Sequence, residues 1–157
     1  MIVAKEIRGA YVDALKMLGR RELSEAQVRQ RLARRGHEPD AVDAAIARLR
    51  EERAIDDARV AEAIARSQTS IRRRGKQRVL RQIEGAGIAP STAQRAVDEV
   101  FGGLDPDALV EASLAKRLRG RQRIADQAEF RRLYRYLIGQ GFEPDRILRA
   151  LKARSVK

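Results

Sequence analysis

Cysteine and tryptophan are absent from this chain of 157 residues, and aromatic residues make up only 4% of it. Without cysteine, a disulfide, a cysteine–zinc site and thiol chemistry are all excluded. Few aromatics and many alanines argue against a β-sandwich and favour small helical cores. Hydrophobic residues still account for 43% of the chain, so it can fold as one ordinary domain or as a few small modules.

Long apolar segments are also missing. The N-terminal sequence MIVAKEIRGA has no apolar run long enough for a signal peptide. No stretch of the chain approaches the ~20 apolar residues that a membrane span requires. We therefore expect a cytoplasmic protein that has no membrane partner.

Residues that perform catalysis or bind cofactors form no recognisable constellation. His37 is the only histidine and follows Gly36, where a partly buried capping contact is the expected role. No Gly-rich phosphate loop, H-E-x-x-H motif or nucleophile elbow occurs. Asp56 and Asp57 are the only adjacent aspartates, and carboxylates at a helix start offer capping oxygens and favour the helix dipole. We expect no catalytic residue, no metal site and no cofactor.

Basic residues clearly exceed acidic ones: 34 Lys and Arg stand against 22 Asp and Glu, a formal net charge of +12. This surplus favours nucleic acid, acidic protein surfaces or anionic membranes as partners. Arginine, much commoner here than lysine, suits bidentate contacts to phosphate or carboxylate. A GC-rich genome would also explain the preference for arginine over lysine, although it would not explain the excess over acids.

A Gly-x-x-Pro motif occurs three times, and its glycines lie 51 and 54 residues apart. The three copies are Gly36–Pro39, Gly87–Pro90 and Gly141–Pro144. Apolar residues recur four positions before each glycine and ten positions after it: Leu32, Ile83 and Leu137, then Ile46, Val97 and Leu151. This agreement indicates an internal repeat. In each copy, glycine ends one helix and proline begins the next.

The repeat predicts an all-α fold of three tandem, helix-turn-helix-like three-helix repeats that form an elongated curved array. The predicted segments are a flexible N-terminus over 1–9, repeat 1 over 10–55, repeat 2 over 56–101, a hinge over 102–105 and repeat 3 over 106–157. The first helix is expected over Ala10–Leu18, with Val12, Leu15 and Leu18 on its apolar face. Ser24 is expected to cap the next helix in a capping box.

The central repeat carries the clearest basic surface, because no acid lies between Glu62 and Glu84. On a predicted helix over Asp57–Arg73, 100° per residue places Val60, Ile64 and Ile71 on one side. Arg59, Arg66 and Arg73 then fall on the other side. Net charge rises from +2 in 1–56 to +4 in 57–104 and +6 in 105–157, so we expect partner binding mainly in the second and third repeats.

The residues predicted to contact a partner are exposed cations opposite apolar stripes. They are Arg59, Arg66, Arg72, Arg73, Arg74, Lys76, Arg78, Arg81, Arg131, Arg132 and Arg135. The aromatic residues Phe130, Tyr134 and Phe142 have core spacing, so we do not expect a base-stacking platform. Structural roles at helix ends are expected for a second set, namely Ser24, Gly36, Asp56, Asp57, Gly87 and Gly141.

With these motifs the chain resembles the RecX family, regulators of the RecA recombinase. The similarity covers about Ala10 to Ala153. It rests on Leu23-Ser24-Glu25 with Val28 and Leu32, Ile55-Asp56-Asp57 with Arg59 and Ala61, Arg66, Gly75, Arg78, Gly87-Ile88 and Gly141-Phe142. Two positions differ: Val60 stands where the family usually has Phe, and Glu52-Arg53-Ala54 lacks a glycine that is common before the acidic pair.

The resemblance implies three tandem three-helix repeats and a non-enzymatic protein that binds RecA and its nucleoprotein filament. It implies inhibition of filament extension, ATPase, strand exchange and coprotease activity, and thereby modulation of recombination, DNA repair and the SOS response. DNA, single- or double-stranded and bound in a salt-dependent way, is a further expected partner, and the protein is expected to be a monomer. The alternatives are a sequence-independent DNA-binding protein with helix-turn-helix-like modules, an adaptor for another acidic protein and, least supported, an enzyme.

Overall fold

The computed structural model describes residues 3–155, and within that range the chain is helical. Its helices are α1 Ala4–Arg20, α2 Glu25–Arg34, α3 Pro39–Glu51, α4 Asp57–Ser70, α5 Lys76–Gly85, α6 Pro90–Gly102, α7 Pro106–Leu118, α8 Gln127–Gln140 and α9 Pro144–Ala153. The described residues contain no strand, only an isolated bridge between Ile124 and Ser155. The predicted all-α fold of three three-helix repeats is confirmed, as α1–α3, α4–α6 and α7–α9.

Two compact units divide the chain. One contains the first repeat, the start of α4 as far as Ala61, and Glu84–Ala93. The other contains Glu62–Ile83 and the described chain from Gln94 onwards. The central repeat is therefore divided between the two units.

The first helix is longer than predicted. It begins at Ala4 instead of near Ala10, so the segment expected to be flexible is helical from Ala4, while residues 1–2 lie outside the described part. The predicted apolar face was wrong for Val12 and Leu15, which are each 39% exposed, whereas Leu18 packs against the core. Alanines form the buried side instead: Ala10 clusters with Ala41 and Ala45 of α3. Small side chains let α1 approach α3 closely, which a stripe of large residues would prevent.

The pair α2–α3 has the predicted local signals. Ser24 Oγ accepts from the Gln27 N–H at 3.2 Å, and Gln27 Oε1 accepts from the Ser24 N–H at 3.0 Å, which completes the capping box. At the other end of α2, Gly36 has φ +86°. The His37 N–H donates to the Leu32 carbonyl at 3.2 Å, the bond that defines a Schellman ending. His37 itself contacts Asp13, with 2.7 Å between Nε2 and Oδ2.

All three repeat glycines adopt the left-handed conformation. Their φ angles are +86° at Gly36, +81° at Gly87 and +98° at Gly141. A residue with a Cβ is strained in this region, which is why the repeat requires glycine there. The prolines that follow begin α3, α6 and α9. The Gly-x-x-Pro motif is therefore one structural unit used three times.

The third repeat has its own core. Asp105 caps α7 and Asp126 caps α8, each through a side-chain oxygen that accepts a backbone N–H. The core contains Val110, Leu114, Leu118, Ile124, Leu133, Leu137, Phe142, Ile147 and Leu151. The Ile124 N–H donates to the Arg154 carbonyl at 2.9 Å, which joins the α7–α8 loop to the end of α9. The segment predicted as a hinge over 102–105 overlaps α6, since Gly102 is the last residue of that helix.

An ion pair across α2 and α3 leads to a prediction about pH. Arg50 of α3 donates to the carboxylate of Glu25 on α2, and this hydrogen bond is the main cause of a lowered Glu25 pKa. A carboxylate whose pKa is lower in the folded state than in the unfolded state stabilises the fold at pH values above its unfolded-state pKa. This stabilisation is lost as the pH falls through the folded-state pKa. We expect Glu25→Gln to lower the free energy of unfolding at pH 7 by about 1 kcal/mol, as for partly exposed pairs.

Urea unfolding at pH 7 and at pH 3 measures this effect. The deficit of Glu25→Gln relative to wild type should be smaller at pH 3 than at pH 7, because the stability contributed by the ionised Glu25 carboxylate declines as the pH falls below the unfolded-state pKa. Glu51→Gln is the matched control, since Glu51 is exposed and makes no ion pair among the residues described. A Glu25→Gln deficit equal at both pH values would contradict the assignment.

Candidate functional site

Three of the motifs singled out in the sequence meet at one place in the first unit. The Ser24 hydroxyl that caps α2 also donates to the Ala86 carbonyl, next to Gly87. Asp57 Oδ1 accepts from the Glu25 N–H at 2.9 Å. Asp56 caps α4, accepting from the Arg59 N–H at 3.1 Å. We name this set of contacts the first joint. Ser24 and Asp56 thus accept from their own helices, whereas Asp57 accepts from the first residue of α2.

The first joint is tight enough to require a glycine. A Cβ built on Gly87 would lie 2.4 Å from the Cβ of Ala26, far inside normal van der Waals contact. Gly36, at the same position of the first repeat, has no neighbouring atom within 4 Å of such a Cβ. Gly87 therefore has two reasons to be glycine, its backbone conformation and its contact with α2, whereas Gly36 has only the first.

An equivalent second joint lies in the other unit. The Gly75 N–H donates to the Gln140 carbonyl at 2.7 Å, and the Gln77 N–H donates to the Gly141 carbonyl at 3.2 Å. Arg78 Nη1 adds a bond to the Gly139 carbonyl at 3.1 Å. These donors lie immediately before α5 and in its first turn, and the carbonyls lie in the turn that ends α8. The two joints share one pattern. In each, the carbonyl of the residue before a repeat glycine, Ala86 or Gln140, accepts a hydrogen bond. The donor is the residue just before the second helix of the preceding repeat, Ser24 or Gly75.

Several of the cations predicted to contact a partner instead make contacts within the protein. Arg59 pairs with Glu22 and donates to the Arg53 carbonyl at 3.1 Å. Arg66 pairs with Glu62, four residues earlier in α4. Arg78 belongs to the second joint, and Lys76 Nζ lies 3.1 Å from Asp98 Oδ1.

The predicted stripe of Arg59, Arg66 and Arg73 does not exist as one helix face. α4 ends at Ser70 instead of Arg73, Arg73 has φ +54°, and Ile71, expected in the core, is 70% exposed. The cause is tertiary: the chain leaves the helix so that Gly75 can reach the carbonyl of Gln140. A helical periodicity cannot reveal this early end, since the partner carbonyl is distant in sequence.

The loop between α4 and α5 concentrates positive charge. Arg72 and Arg73 are exposed, and neither forms an ion pair with a residue in the described range. Arg74 is half-buried, and its Nη1 donates to Gln68 Oε1 at 2.6 Å and to Gln82 Oε1 at 3.0 Å. Burial lowers the pKa of Arg74, and the nearby charges of Arg78 and Arg72 lower it further. No carboxylate among residues 3–155 pairs with this cluster, so it attracts anions.

The third repeat presents the other predicted cations on α8. Arg131, Arg132 and Arg135 are exposed, and no acid within the described range pairs with them. Arg131 and Arg135 line an open groove of about 320 Å³ together with Phe130 and Tyr134. The two rings are partly buried against the core, as the spacing predicted, and their outer edges are accessible as well.

A further basic cluster, absent from the predicted set, lies in the first repeat. Lys16, Arg20 and Arg21 at the end of α1 meet Arg31, Arg34 and Arg35 at the end of α2 around a cleft of about 440 Å³. The signal was present in the sequence as cations that recur three or four residues apart. It was obscured because the repeat as a whole has a net charge of only +2.

The fold and these surfaces define an all-α protein of tandem three-helix repeats with exposed basic clusters. The family model for the first three-helix domain of RecX matches residues 10–49. "Regulatory protein RecX" of Halorhodospira halophila is 33% identical over 141 residues, covering 89% of this chain and 84% of its own. The Chromohalobacter salexigens protein of the same name is 32% identical, with 88% of each chain covered. The chain belongs to the RecX family.

Solved structures agree on the fold. The crystal structure of RecX from Lactobacillus salivarius matches with a TM-score of 0.78 at 20% identity, covering 96% of this chain and 97% of that one. A second crystal structure, of a regulatory protein RecX, has a TM-score of 0.75 at 18% identity. Among the residues described, no helix is long and apolar enough to cross a membrane.

Proposed function

We propose that this chain binds the RecA recombinase and its nucleoprotein filament. Binding would inhibit filament extension, ATPase, strand exchange and coprotease activity, and would so modulate recombination, DNA repair and the SOS response. Family membership supports this proposal, because the relatives are named as regulatory proteins. The observation that carries it is the exposed pair Arg72 and Arg73, which follows α4 without an acidic partner in the described range and is available to an acidic surface.

The joints suggest how binding of this protein would restrain RecA protomers. Each joint fixes the first turn of one helix to the turn of the next repeat through several bonds, including the 2.7 Å bond from Gly75 to Gln140. Cations placed next to such a joint, as Arg72 and Arg73 are, lose little conformational freedom when they bind. A protein that contacts neighbouring RecA protomers through preorganised cations would oppose the shifts between them during ATP turnover.

The test is RecA-catalysed ATP hydrolysis on single-stranded DNA, with this protein added below the RecA concentration. We expect wild type to inhibit. Arg72→Glu/Arg73→Glu should raise the concentration for half-inhibition at least about tenfold, equivalent to roughly 1.4 kcal/mol, because each reversed charge faces like charge on the partner. Arg74 is left unchanged, since its bonds to Gln68 and Gln82 support the loop.

Lys5→Glu/Arg8→Glu is the matched control for this test. Both residues are exposed on α1, and their reversal changes the net charge by the same amount. If the Arg72/Arg73 variant inhibits as well as this control at moderate salt, the assigned surface is wrong. If wild type fails to inhibit and binds duplex DNA tightly, the alternative of a sequence-independent DNA-binding protein is favoured.

A further inference from the structure

The basic cleft of the first repeat is lined almost entirely by residues outside the core. Of its lining residues Lys16, Met17, Arg20, Arg21, Arg31, Arg34 and Arg35, only Met17 is apolar, and Met17 belongs to the core beneath it. The remaining six are cations gathered from two helix ends. Like charges held this close repel one another, so the arrangement destabilises the free protein unless an anion binds.

Little within the protein neutralises these cations. Asp13 lies 3.5 Å from Arg35, and its other carboxylate oxygen contacts His37. The other five cations form no ion pair with any residue in the range 3–155. The ends of α1 and α2 together contribute a partial charge of about −1 from their dipoles. Several positive charges therefore remain uncompensated in a cleft of about 440 Å³.

We propose that this cleft binds the sugar-phosphate backbone of duplex DNA. Duplex DNA carries about one negative charge per 1.7 Å of its axis, a density that can face several adjacent cations at once. Guanidinium groups match phosphate oxygens bidentately. No aromatic ring lines the cleft, so it lacks the stacking surface typical of single-strand sites. The contacts are to the backbone alone, and binding is independent of sequence.

The corresponding positions of the other repeats support a phosphate site. Arg31 stands five residues before Gly36, and the equivalent residues are Gln82 and Tyr136. In the central repeat Arg74 donates to Gln82, and in the third Arg117 lies over the Tyr136 ring at 4.4 Å. In every repeat, cations at or just after the end of the first helix thus lie beside the residue five positions before the repeat glycine. The first repeat adds Arg31, Arg34 and Arg35 at the end of α2 to these cations, so that six line one cleft, whereas four line the cleft beside Tyr136 in the third repeat.

The proposal does not depend on RecA, so its test uses the full-length protein and DNA alone. Fluorescence anisotropy with a labelled 20-base-pair duplex would give Kd between 50 and 300 mM KCl, a range on the order of that over which phosphate contacts weaken strongly. The variant is Arg20→Gln/Arg31→Gln/Arg34→Gln. We expect its Kd at 100 mM KCl to rise at least about tenfold and its salt slope to fall by up to about 2.7, from about 0.9 per phosphate contact.

Two companion variants separate the effect of charge in the cleft from the effects of net charge and of folding. Lys5→Gln/Arg8→Gln/Arg95→Gln removes the same charge from exposed positions outside the cleft and should keep most of the affinity and the slope. Arg20→Lys/Arg31→Lys/Arg34→Lys retains the charge and should keep the slope while losing part of the affinity. Melting followed by circular dichroism checks that all variants fold.

Three results would overturn the proposal. Wild type could fail to bind the duplex at 50 mM KCl. The glutamine variant could match the control in both Kd and salt slope. It could also keep its duplex affinity but lose binding to the RecA filament, which would assign the cleft to an acidic protein surface.

Discussion

Gly75→Ala is expected to lower the free energy of unfolding by about 3 kcal/mol, the upper end of the usual cost of overpacking. A Cβ at this position would lie 2.5 Å from the carbonyl carbon of Gly141 and 2.6 Å from its oxygen. These are backbone atoms, so no side chain can rotate away to make room. Relief requires α5 to move from the α8–α9 turn, which would break the buried bond from the Gly75 N–H to Gln140.

Gly85→Ala is the matched control for this experiment. Gly75 precedes α5 and Gly85 is its last residue, but a Cβ at Gly85 meets no atom within 4 Å. That substitution should be neutral or stabilise by up to about 1 kcal/mol, by reducing the entropy of the unfolded chain. Urea unfolding gives both values, and the melting temperature of Gly75→Ala should fall by about 6–12 °C. Equal stabilities for the two variants would show that the second joint is not close-packed.

Gly87→Ala is expected to destabilise the first joint by about 3 kcal/mol. Its φ of +81° costs an L-residue about 1–2 kcal/mol, and the clash of the new Cβ with the Cβ of Ala26 at 2.4 Å adds an overpacking cost of about 1–3 kcal/mol. Gly36→Ala separates the two contributions, because Gly36 has φ +86° and open space beside it. We expect it to cost only about 1 kcal/mol.

A double-mutant cycle with Ala26→Gly tests the steric part directly. Removing the Ala26 methyl group makes room for the one added at position 87. Gly87→Ala should therefore cost about 1–2 kcal/mol less in the Ala26→Gly background than in wild type. Chemical denaturation of the four proteins measures this coupling. If Gly87→Ala costs no more than Gly36→Ala, or if the cycle shows no coupling, the contact between α2 and the Gly87 turn is not close.

Local features of the fold were predictable because their physics is local. The capping box at Ser24 and the left-handed glycines each depend on a few adjacent residues. The failures came where distant residues compete. Val12 and Leu15 have helical spacing, but close packing of alanines turned the other side of α1 inward. Ile71 continues an apolar stripe, but the bond from Gly75 to Gln140 ends α4 before that residue can reach the core.

The predicted surface cations divide in the same way. Arg72, Arg73 and the arginines of α8 are exposed, as predicted, but Arg72 and Arg73 lie in a loop and not on a helix opposite an apolar stripe. The contacts made by others could not be inferred, because Arg59 pairs with Glu22 and Lys76 with Asp98, acids far away in the chain. Whether the exposed cations bind RecA stays a prediction for the ATPase experiment.

The sequence by itself determined the three repeats, the helix pairs joined at Gly-x-x-Pro and membership of the RecX family. Caps, left-handed glycines and apolar periodicity act within a few residues, so each repeat specifies its own helices. Only the tertiary structure decided which charged side chains stay unpaired within the described residues and so remain available to a binding partner. The ends of α1 and α2 come together because their apolar sides share one core, and this packing brings six cations of a nearly neutral repeat around one cleft. Electrostatic fields depend on the distances between charges in space. The order of charged residues along the chain does not specify those distances.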